Sequence, residues 1–359
     1  MGIYRRPGYD GEGDEEQGND NEENKEEEDY EPLLDGVIGS GVCILSKGPI
    51  VDSGMLKYNL NGYAHKIFHG DWFGGKVVGL CKVNYRGLNI NLYVTHLHAE
   101  YNRHCDVYLS HRICQAFELS QYVKHTSENC DLALLGGDFN TEPLDPPYNI
   151  ILYNTGLVDS FVDQEAMGRD SLCVGATCGH PDNTYTSSYE KSTCPTGKRI
   201  DYIMYKVGRG TPTWAASSSA DCTLGLVDAL SRGQDQLRQS LEGLHLDRVF
   251  YMVAACFMAC ILAATVPLHL PQVYHWILVL CRTLAAMLLG FCMIMAFFWI
   301  AMEKSSLIEA RKAMRVIWKA HTNTELGTAP TSYGVSPVQV PLHSPLRSPL
   351  LELKGEQRV

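Results

Sequence analysis

The fold of this chain is decided by the stretch Leu134-Leu135-Gly136-Gly137-Asp138-Phe139-Asn140-Thr141-Glu142-Pro143. The apolar run 132–135 predicts a buried strand that ends at the two glycines. Asp138 and Asn140 lie two residues apart, so on an extended backbone both side chains point to the same side. A carboxylate and a carboxamide placed there can bind a water, a metal ion or a phosphate oxygen. The alternative is a turn rich in Asp and Asn that closes the strand.

Two further predicted strands carry polar side chains at an end. Thr95-His96-Leu97-His98-Ala99-Glu100 follows the apolar run 90–94, and Lys198-Arg199-Ile200-Asp201 opens the run 202–205. Three strand ends therefore offer His, then Asp with Asn, then Arg with Asp, in that order along the chain.

This order resembles the endonuclease/exonuclease/phosphatase superfamily and, within it, the neutral sphingomyelinases. The segments that carry the resemblance read GSGVCILSK (39–47), NGY (61–63), HGDWFGGK (69–76) and YVTHLHAEYNR (93–103). The resemblance covers roughly 36–206, and an apolar region after Arg248 is similar to the same subfamily. It implies a two-sheet α/β sandwich that cleaves a phosphodiester, here an incomplete one, followed by a two-helix transmembrane hairpin.

The resemblance assigns a role to each polar strand end. Asp138 would orient or activate the attacking water, while Asn140 and His96 would donate to the phosphate oxygens as negative charge builds. A structural histidine is the alternative for His96. Asp201 would pair with a catalytic histidine elsewhere, or else form a structural salt bridge with Arg199. Arg199 itself would brace the neighbouring loop.

Asp71 and Lys76 lie five residues apart, across two aromatic residues and two glycines. In the family that the chain resembles, this pair is a switch: Lys pairs with Asp in one state, and Asp turns toward the active site in the other. Lys76 would then also contribute to phosphate binding. The alternative is an ordinary surface ion pair, which contributes at most about 1 kcal/mol.

The resemblance also implies Mg²⁺, which prefers oxygen ligands and stabilises charge on phosphate oxygens. Family members hold it with a glutamate at the end of an early strand, and a Ser-Asp-His segment supplies the general base. Here the residues before Val37 are an acidic, polar segment, and Ser219-Ala220-Asp221-Cys222 stands where Ser-Asp-His is expected. The metal ligand is therefore unknown, and we expect a truncated or misassembled member that is weakly active or inactive.

The 13 cysteines lack paired spacing, and several lie inside apolar runs. Such a distribution is typical of a reducing compartment rather than of a disulfide framework. A zinc site is disfavoured, because no standard zinc spacing matches the candidates Cys173, Cys178, His180 and Cys194.

Charge and composition predict the boundaries between the segments of the chain. Residues 1–35 hold fourteen acidic and three basic residues, so this segment alone accounts for the net charge of −11. The neutral remainder argues against a nucleic-acid partner. We predict a disordered acidic tail over 1–35, because so few apolar residues cannot offset the entropy of ordering. A partial phosphodiesterase-like domain over 36–207, a linker over 208–247 and a disordered tail over 323–359 complete the prediction.

Two apolar runs, about 249–266 and 277–302, predict a transmembrane hairpin over 249–302. The connecting loop has no Lys or Arg, so the positive-inside rule places the catalytic domain and both termini in the cytosol. The endoplasmic reticulum or another internal membrane is favoured over the plasma membrane. Residues 303–322 predict a basic amphipathic helix that would lie on anionic lipid of the cytosolic leaflet. The flanking basic residues are Arg248, Lys304, Arg311, Lys312 and Arg315.

Together these features favour a Mg²⁺-dependent enzyme that hydrolyses a membrane sphingolipid, sphingomyelin, to ceramide and phosphocholine. The alternative is a catalytically inactive, membrane-anchored lipid-binding or interaction module of the same fold, which the missing Glu and Asp-His favour. A nuclease or inositol-phosphate phosphatase of the same superfamily is disfavoured by the neutral domain charge and the membrane anchor.

Overall fold

A computed structural model of the chain describes residues 2–5, 39–46, 48–63, 65–66, 68–162, 175–208, 219–268 and 271–327. Its centre is a six-stranded sheet in the order β3-β4-β5-β6-β8-β7. The neighbours β5 and β6 are parallel, and all other neighbours in this sheet are antiparallel. The strands are β3 (Ile50–Lys57), β4 (Val77–Tyr85), β5 (Leu88–His96), β6 (Leu132–Asp138), β7 (Val158–Asp159) and β8 (Asp201–Val207).

Strands β4 and β5 form an antiparallel hairpin. Arg86 and Gly87 form its two-residue loop, and both have positive φ angles of 53° and 82°. Two central residues with positive φ give the backbone twist that matches the twist of paired strands. This hairpin fixes the register of β5 and therefore the position of the polar residues at its end.

Among the described residues, three α-helices lie between the strands in the chain. They are α1 (Leu109–Thr126), α2 (Pro146–Thr155) and the short α3 (Ser188–Thr193). Ala116, Leu119 and Val123 of α1 pack in one core cluster with Leu135 of β6. The α/β class is thus confirmed, with a mixed sheet and helices.

The start of the predicted acidic tail differs from the prediction. Gly2–Arg5 forms a strand, β1, that pairs in parallel with Cys43–Ser46, β2, with Ile3 opposite Ile44 and Tyr4 opposite Leu45. The β-branched and aromatic side chains of Ile3 and Tyr4 favour a strand locally. The remainder of that tail, residues 6–38, lies outside the described residues, as does the predicted tail beyond 327.

The prediction of a linker over 208–247 is wrong for its larger part. Ser219–Thr265 is one continuous helix of 47 residues, α4. Its residues 226, 230, 237 and 244 are buried and recur at intervals of four and seven, which places them on one helical face. They pack in one cluster with Ile113 of α1 and Ile150 of α2. The polar composition of 224–246 reflects the opposite, exposed face.

The apolar C-terminal region forms a helical hairpin with α4. Helix α5 (His275–Ile294) continues through a π-helical turn, Met295–Trp299, into α6 (Ile300–Gly327). Two helices are long and apolar enough to cross a membrane, which is consistent with the predicted hairpin. The predicted amphipathic helix within α6 is helical, but its apolar side chains Leu307, Ala310 and Met314 pack against the protein. The apolar face of this helix is therefore covered by protein rather than by a membrane surface.

The packing of α4 gives a first testable prediction. Leu230 is fully buried, so Leu230→Ala should lower the free energy of unfolding by about 2–5 kcal/mol through lost burial and a cavity. Leu246 on the same helix is 71% exposed, and Leu246→Ala should change it by less than about 0.5 kcal/mol. Thermal and urea unfolding in detergent would compare the two variants. Equal, small effects would indicate that 219–247 behaves as a loose linker.

Candidate active site

The sheet register brings three predicted site residues into one row. His96 is the last residue of β5 and lies opposite Asp138, the last residue of β6. Asp138 in turn lies opposite Asp201, the first residue of the antiparallel strand β8. Ends of parallel strands and the start of an antiparallel strand meet at the same edge of a sheet. Three residues that are 42 and 63 positions apart in sequence thus lie side by side at this edge.

The backbone before and after Asp138 fixes its side chain. Gly137 has φ of 149°, and a Cβ there would lie 2.0 Å from the carbonyl oxygen of Thr95, so only glycine fits this approach to β5. One carboxylate oxygen of Asp138, Oδ1, accepts the N–H of Asn140 at 2.8 Å. The other, Oδ2, lies 3.7 Å from Nε2 of His96. Oδ1 therefore stabilises the turn after β6, and Oδ2 faces His96 in the row of strand-end residues.

The electrostatics of the row favour a carboxylate that can accept a proton near neutral pH. Burial raises the pKa of Asp138 to about 6, and the neighbouring Asp201 adds to this rise, while the N–H of Asn140 and the charge of Lys76 oppose it. Burial, together with nearby Lys76, lowers the pKa of His96. His96 is therefore neutral at neutral pH and can donate one N–H without carrying charge.

Asn140 is held in the left-handed conformation, with φ of 46°, which Asn tolerates better than most residues. Its Nδ2 donates to the carbonyl oxygen of Leu97 at 2.9 Å. This bond ties the loop after β6 to the loop after β5. One amide hydrogen remains for a substrate oxygen, because the carboxamide has two.

The ion pair between Asp71 and Lys76 is buried, so the surface-pair alternative is wrong. Nζ of Lys76 lies 3.1 Å from Oδ1 of Asp71, and the two side chains are 4% and 17% exposed. Oδ2 of Asp71 accepts the N–H of Ala99 at 2.6 Å. Burial opposes ionisation of Asp71, but Lys76 and Ala99 outweigh it and lower its pKa. The structure therefore shows Asp71 and Lys76 as a buried ion pair, and the switch stays a prediction.

Arg199 pairs with Asp159 rather than with Asp201. Nη1 of Arg199 lies 2.9 Å from Oδ2 of Asp159, and both side chains are buried. The guanidinium also lies over the ring of Tyr202, 4.7 Å from its centroid. Within the described residues Asp201 makes no salt bridge, so the predicted structural pair of Arg199 with Asp201 is wrong. The register leaves Asp201 at the site edge instead.

His98 also contributes to the site, although the sequence did not predict a role for it. This residue is 1% exposed, stacks on the ring of Tyr108 at 4.0 Å, and has Nδ1 3.6 Å from Oδ2 of Asp71. Burial lowers its pKa to about 3, so it is a neutral packing partner of Asp71. Its only sequence signal is membership of the same THLHAEY stretch as His96.

A cavity of about 180 Å³ adjoins Asn140. Glu100 and Lys198 lie in its wall and are ion-paired at 3.3 Å. Cys178 and Cys194 of the disfavoured zinc set also line it, whereas Cys173 lies outside the described residues. This cavity is the space beside the strand-end row that could receive part of a substrate.

The described residues do not form a complete protein cage for a metal ion. Among them, no three His, Cys, Asp or Glu side chains converge as ligands. Mg²⁺ commonly uses one or two carboxylates together with waters and substrate phosphates. Asp138 and Asp201 at the strand ends are the described carboxylates that would fit such partial coordination.

The sequence profile of the Endonuclease/Exonuclease/phosphatase family matches residues 11–220, more than half of the chain. With the mixed sheet and its polar strand ends, this match shows that the chain belongs to that family.

Within the family, the chain is similar to enzymes that act on sphingolipids. It is 47% identical over 172 residues to sphingomyelin phosphodiesterase 2 of Mus musculus, covering 48% of this chain and 40% of the relative. Identity to inositol phosphosphingolipids phospholipase C of Schizosaccharomyces pombe is 33% over 184 residues, covering 47% and 43%. The chain thus spans about two fifths of the length of these relatives. Beta toxin from Staphylococcus aureus matches at 23% identity with a TM-score of 0.34, over 49% of this chain and 56% of the toxin.

Proposed function

We propose that the chain hydrolyses the phosphodiester of sphingomyelin to ceramide and phosphocholine, with Mg²⁺ as cofactor. The observation that carries the proposal is the row His96, Asp138 and Asp201 beside the buried Lys76. The similarity to sphingomyelin phosphodiesterase 2 supports the choice of substrate.

The residues at and beside the row have separate roles in the proposed in-line hydrolysis. Asp138 orients the attacking water and accepts its proton, since its raised pKa suits a general base near neutral pH. Neutral His96 and the free amide hydrogen of Asn140 donate to the non-bridging oxygens as charge develops. Lys76 adds positive charge, and Asp71 would exchange this partner during the proposed switch. When bound, Mg²⁺ would neutralise charge on the phosphate oxygens.

The proposed location is a cytosolic membrane face of an internal membrane, with the two apolar helices as anchor. A groove of about 500 Å³ between α4 and α6 lies where the apolar spans end. Arg248, Lys304 and Lys312 line it, and within the described residues Arg248 and Lys304 form no ion pair. Lys312 pairs with Glu309, also in the groove wall, at 3.0 Å, so Arg248 and Lys304 are the basic side chains that support the proposed contact with anionic lipid.

The second candidate is an inactive membrane-anchored module of the same fold. It is favoured by Ser219-Ala220-Asp221-Cys222, which stands where the resembled family carries Ser-Asp-His. It makes the opposite prediction about turnover and the same prediction about membrane attachment.

The test is phosphocholine release from sphingomyelin in mixed micelles at neutral pH, with Mg²⁺ and with a chelator. Turnover that requires Mg²⁺ and responds to added phosphatidylserine would support the proposal. Absence of turnover from protein that binds membranes and unfolds cooperatively would overturn it in favour of the inactive module.

A further inference from the structure

Glu303 is a buried carboxylate at the point where α6 follows the second apolar span. Only 4% of the residue is exposed. Its Oε1 accepts a hydrogen bond from the Tyr63 hydroxyl at 2.9 Å and lies 3.2 Å from Nε2 of the fully buried His111. These partners are 240 and 192 residues away in sequence and belong to the globular domain.

A carboxylate in this position is costly unless it is paired, because burial removes it from water. Its neighbours on the same helix, Ile300 and Leu307, belong to the apolar cluster shared with α1 and α4. An apolar residue would continue that cluster at no such cost. The π-helical turn Met295–Trp299 lies just before Glu303, and such turns alter the direction in which the following side chains point. These features indicate that the contact has a role beyond packing.

The partners of Glu303 lead directly to the Asp71–Lys76 loop. The ring of Tyr63 packs on those of His111 and Tyr108, at 4.7 and 5.2 Å. Tyr108 stacks on His98, and His98 contacts Asp71 as described above.

The backbone of residues 61 and 62, next to Tyr63, also contacts this part of the protein. A Cβ on Gly62 would lie 2.3 Å from Nε2 of His98, so the chain passes directly over that imidazole. Asn61 donates through Nδ2 to the carbonyl oxygen of Gly74, between Asp71 and Lys76. Residues 61–63 therefore lie between Glu303 on one side and the proposed switch loop on the other.

We infer that Glu303 is a positioning residue: from the membrane-anchored helix it holds Tyr63 and His111, and through them it sets the loop that carries Asp71 and Lys76. This inference rests on the proposed function for its effect on turnover, but not for the coupling itself. It gives the hairpin a role in ordering the site in addition to anchoring the protein.

The experiment uses the full chain in detergent micelles. Glu303→Ala and Glu303→Gln are compared with Glu242→Gln, a 72% exposed glutamate side chain on α4 that faces Arg238 at 3.8 Å. The first readout is kcat and KM with a water-soluble phosphocholine ester, so that membrane binding does not enter. We expect Glu303→Ala to lower kcat about 10- to 100-fold with KM nearly unchanged, since small misplacements of catalytic groups cost this much. Glu303→Gln keeps an acceptor for Tyr63 and should lose less, and Glu242→Gln should match the parent chain.

The second readout is amide hydrogen exchange, which needs no activity. Faster exchange in 61–76 of Glu303→Ala, with α2 unchanged, supports the coupling even if the parent chain shows no turnover. In that case the proposed function fails and the coupling stands. Tyr63→Phe should reproduce the effect, and its combination with Glu303→Ala should add little to either single variant. Unchanged exchange in 61–76, or an equal rise throughout the domain, would overturn the inference.

Discussion

Asp138→Asn is expected to reduce kcat for phosphocholine release by about 10²- to 10⁴-fold, the usual cost of losing a general base. Asparagine keeps an oxygen that can accept the N–H of Asn140, so the turn after β6 should persist. The lost property is the ability to take a proton from water. Steady-state kinetics on sphingomyelin micelles would measure the effect.

The matched control is Asp182→Asn. This aspartate lies in a loop, its side chain is 92% exposed, and its replacement should leave kcat within about twofold of the parent value. If Asp138→Asn retained full turnover, another residue would have to act as the base.

The pH profile gives an independent measure of the same group. Because the pKa of Asp138 is raised to about 6, its carboxylate is protonated below that pH and cannot act as a base. We therefore expect kcat/KM to fall as pH decreases through about 6 and to be level just above it. Asp201→Asn removes a nearby negative charge, so it should shift the midpoint to lower pH. A profile that is flat between pH 5 and 7 would contradict this assignment.

Arg199→Met is expected to lower the free energy of unfolding by about 3–5 kcal/mol. The change would leave the carboxylate of Asp159, which is 3% exposed, buried without its cation. Tyr148 also donates to Asp159, at 2.8 Å, but a neutral donor cannot replace the lost charge. Urea unfolding in detergent, followed by circular dichroism, would measure the loss.

Arg238→Met is the control for removal of an arginine. Its side chain is 57% exposed and its partner Glu242 is 3.8 Å away, so the loss should be below about 1 kcal/mol. Replacing Asp159 by Leu together with Arg199→Met should recover part of the stability, because no unpaired charge then remains. An effect of Arg199→Met no larger than that of Arg238→Met would show that the buried pair is not needed for stability.

Local pattern predicted the elements that have strong signals of their own. The hairpin of β4 and β5 has a two-residue turn between apolar strands, and α1 has a regular apolar stripe, so the sequence of each element indicates its type. Strand β3 was missed. Its sequence, IVDSGMLK, is an exposed edge strand without clear alternation, and it is a strand because β4 offers it backbone hydrogen bonds.

The sequence by itself determined which residue types stand at the strand ends, and hence the family and the positions of His96, Asp138 and Asp201. It also determined the two apolar helices, because each contains an 18-residue window apolar enough to cross a membrane. Only the tertiary structure decided the partners: Asp159 for Arg199, α1 and α2 for α4, and Tyr63 with His111 for Glu303. Local periodicity reports which face of an element is buried. The identity of the group opposite depends on strand register and helix packing across hundreds of residues, which no local pattern contains.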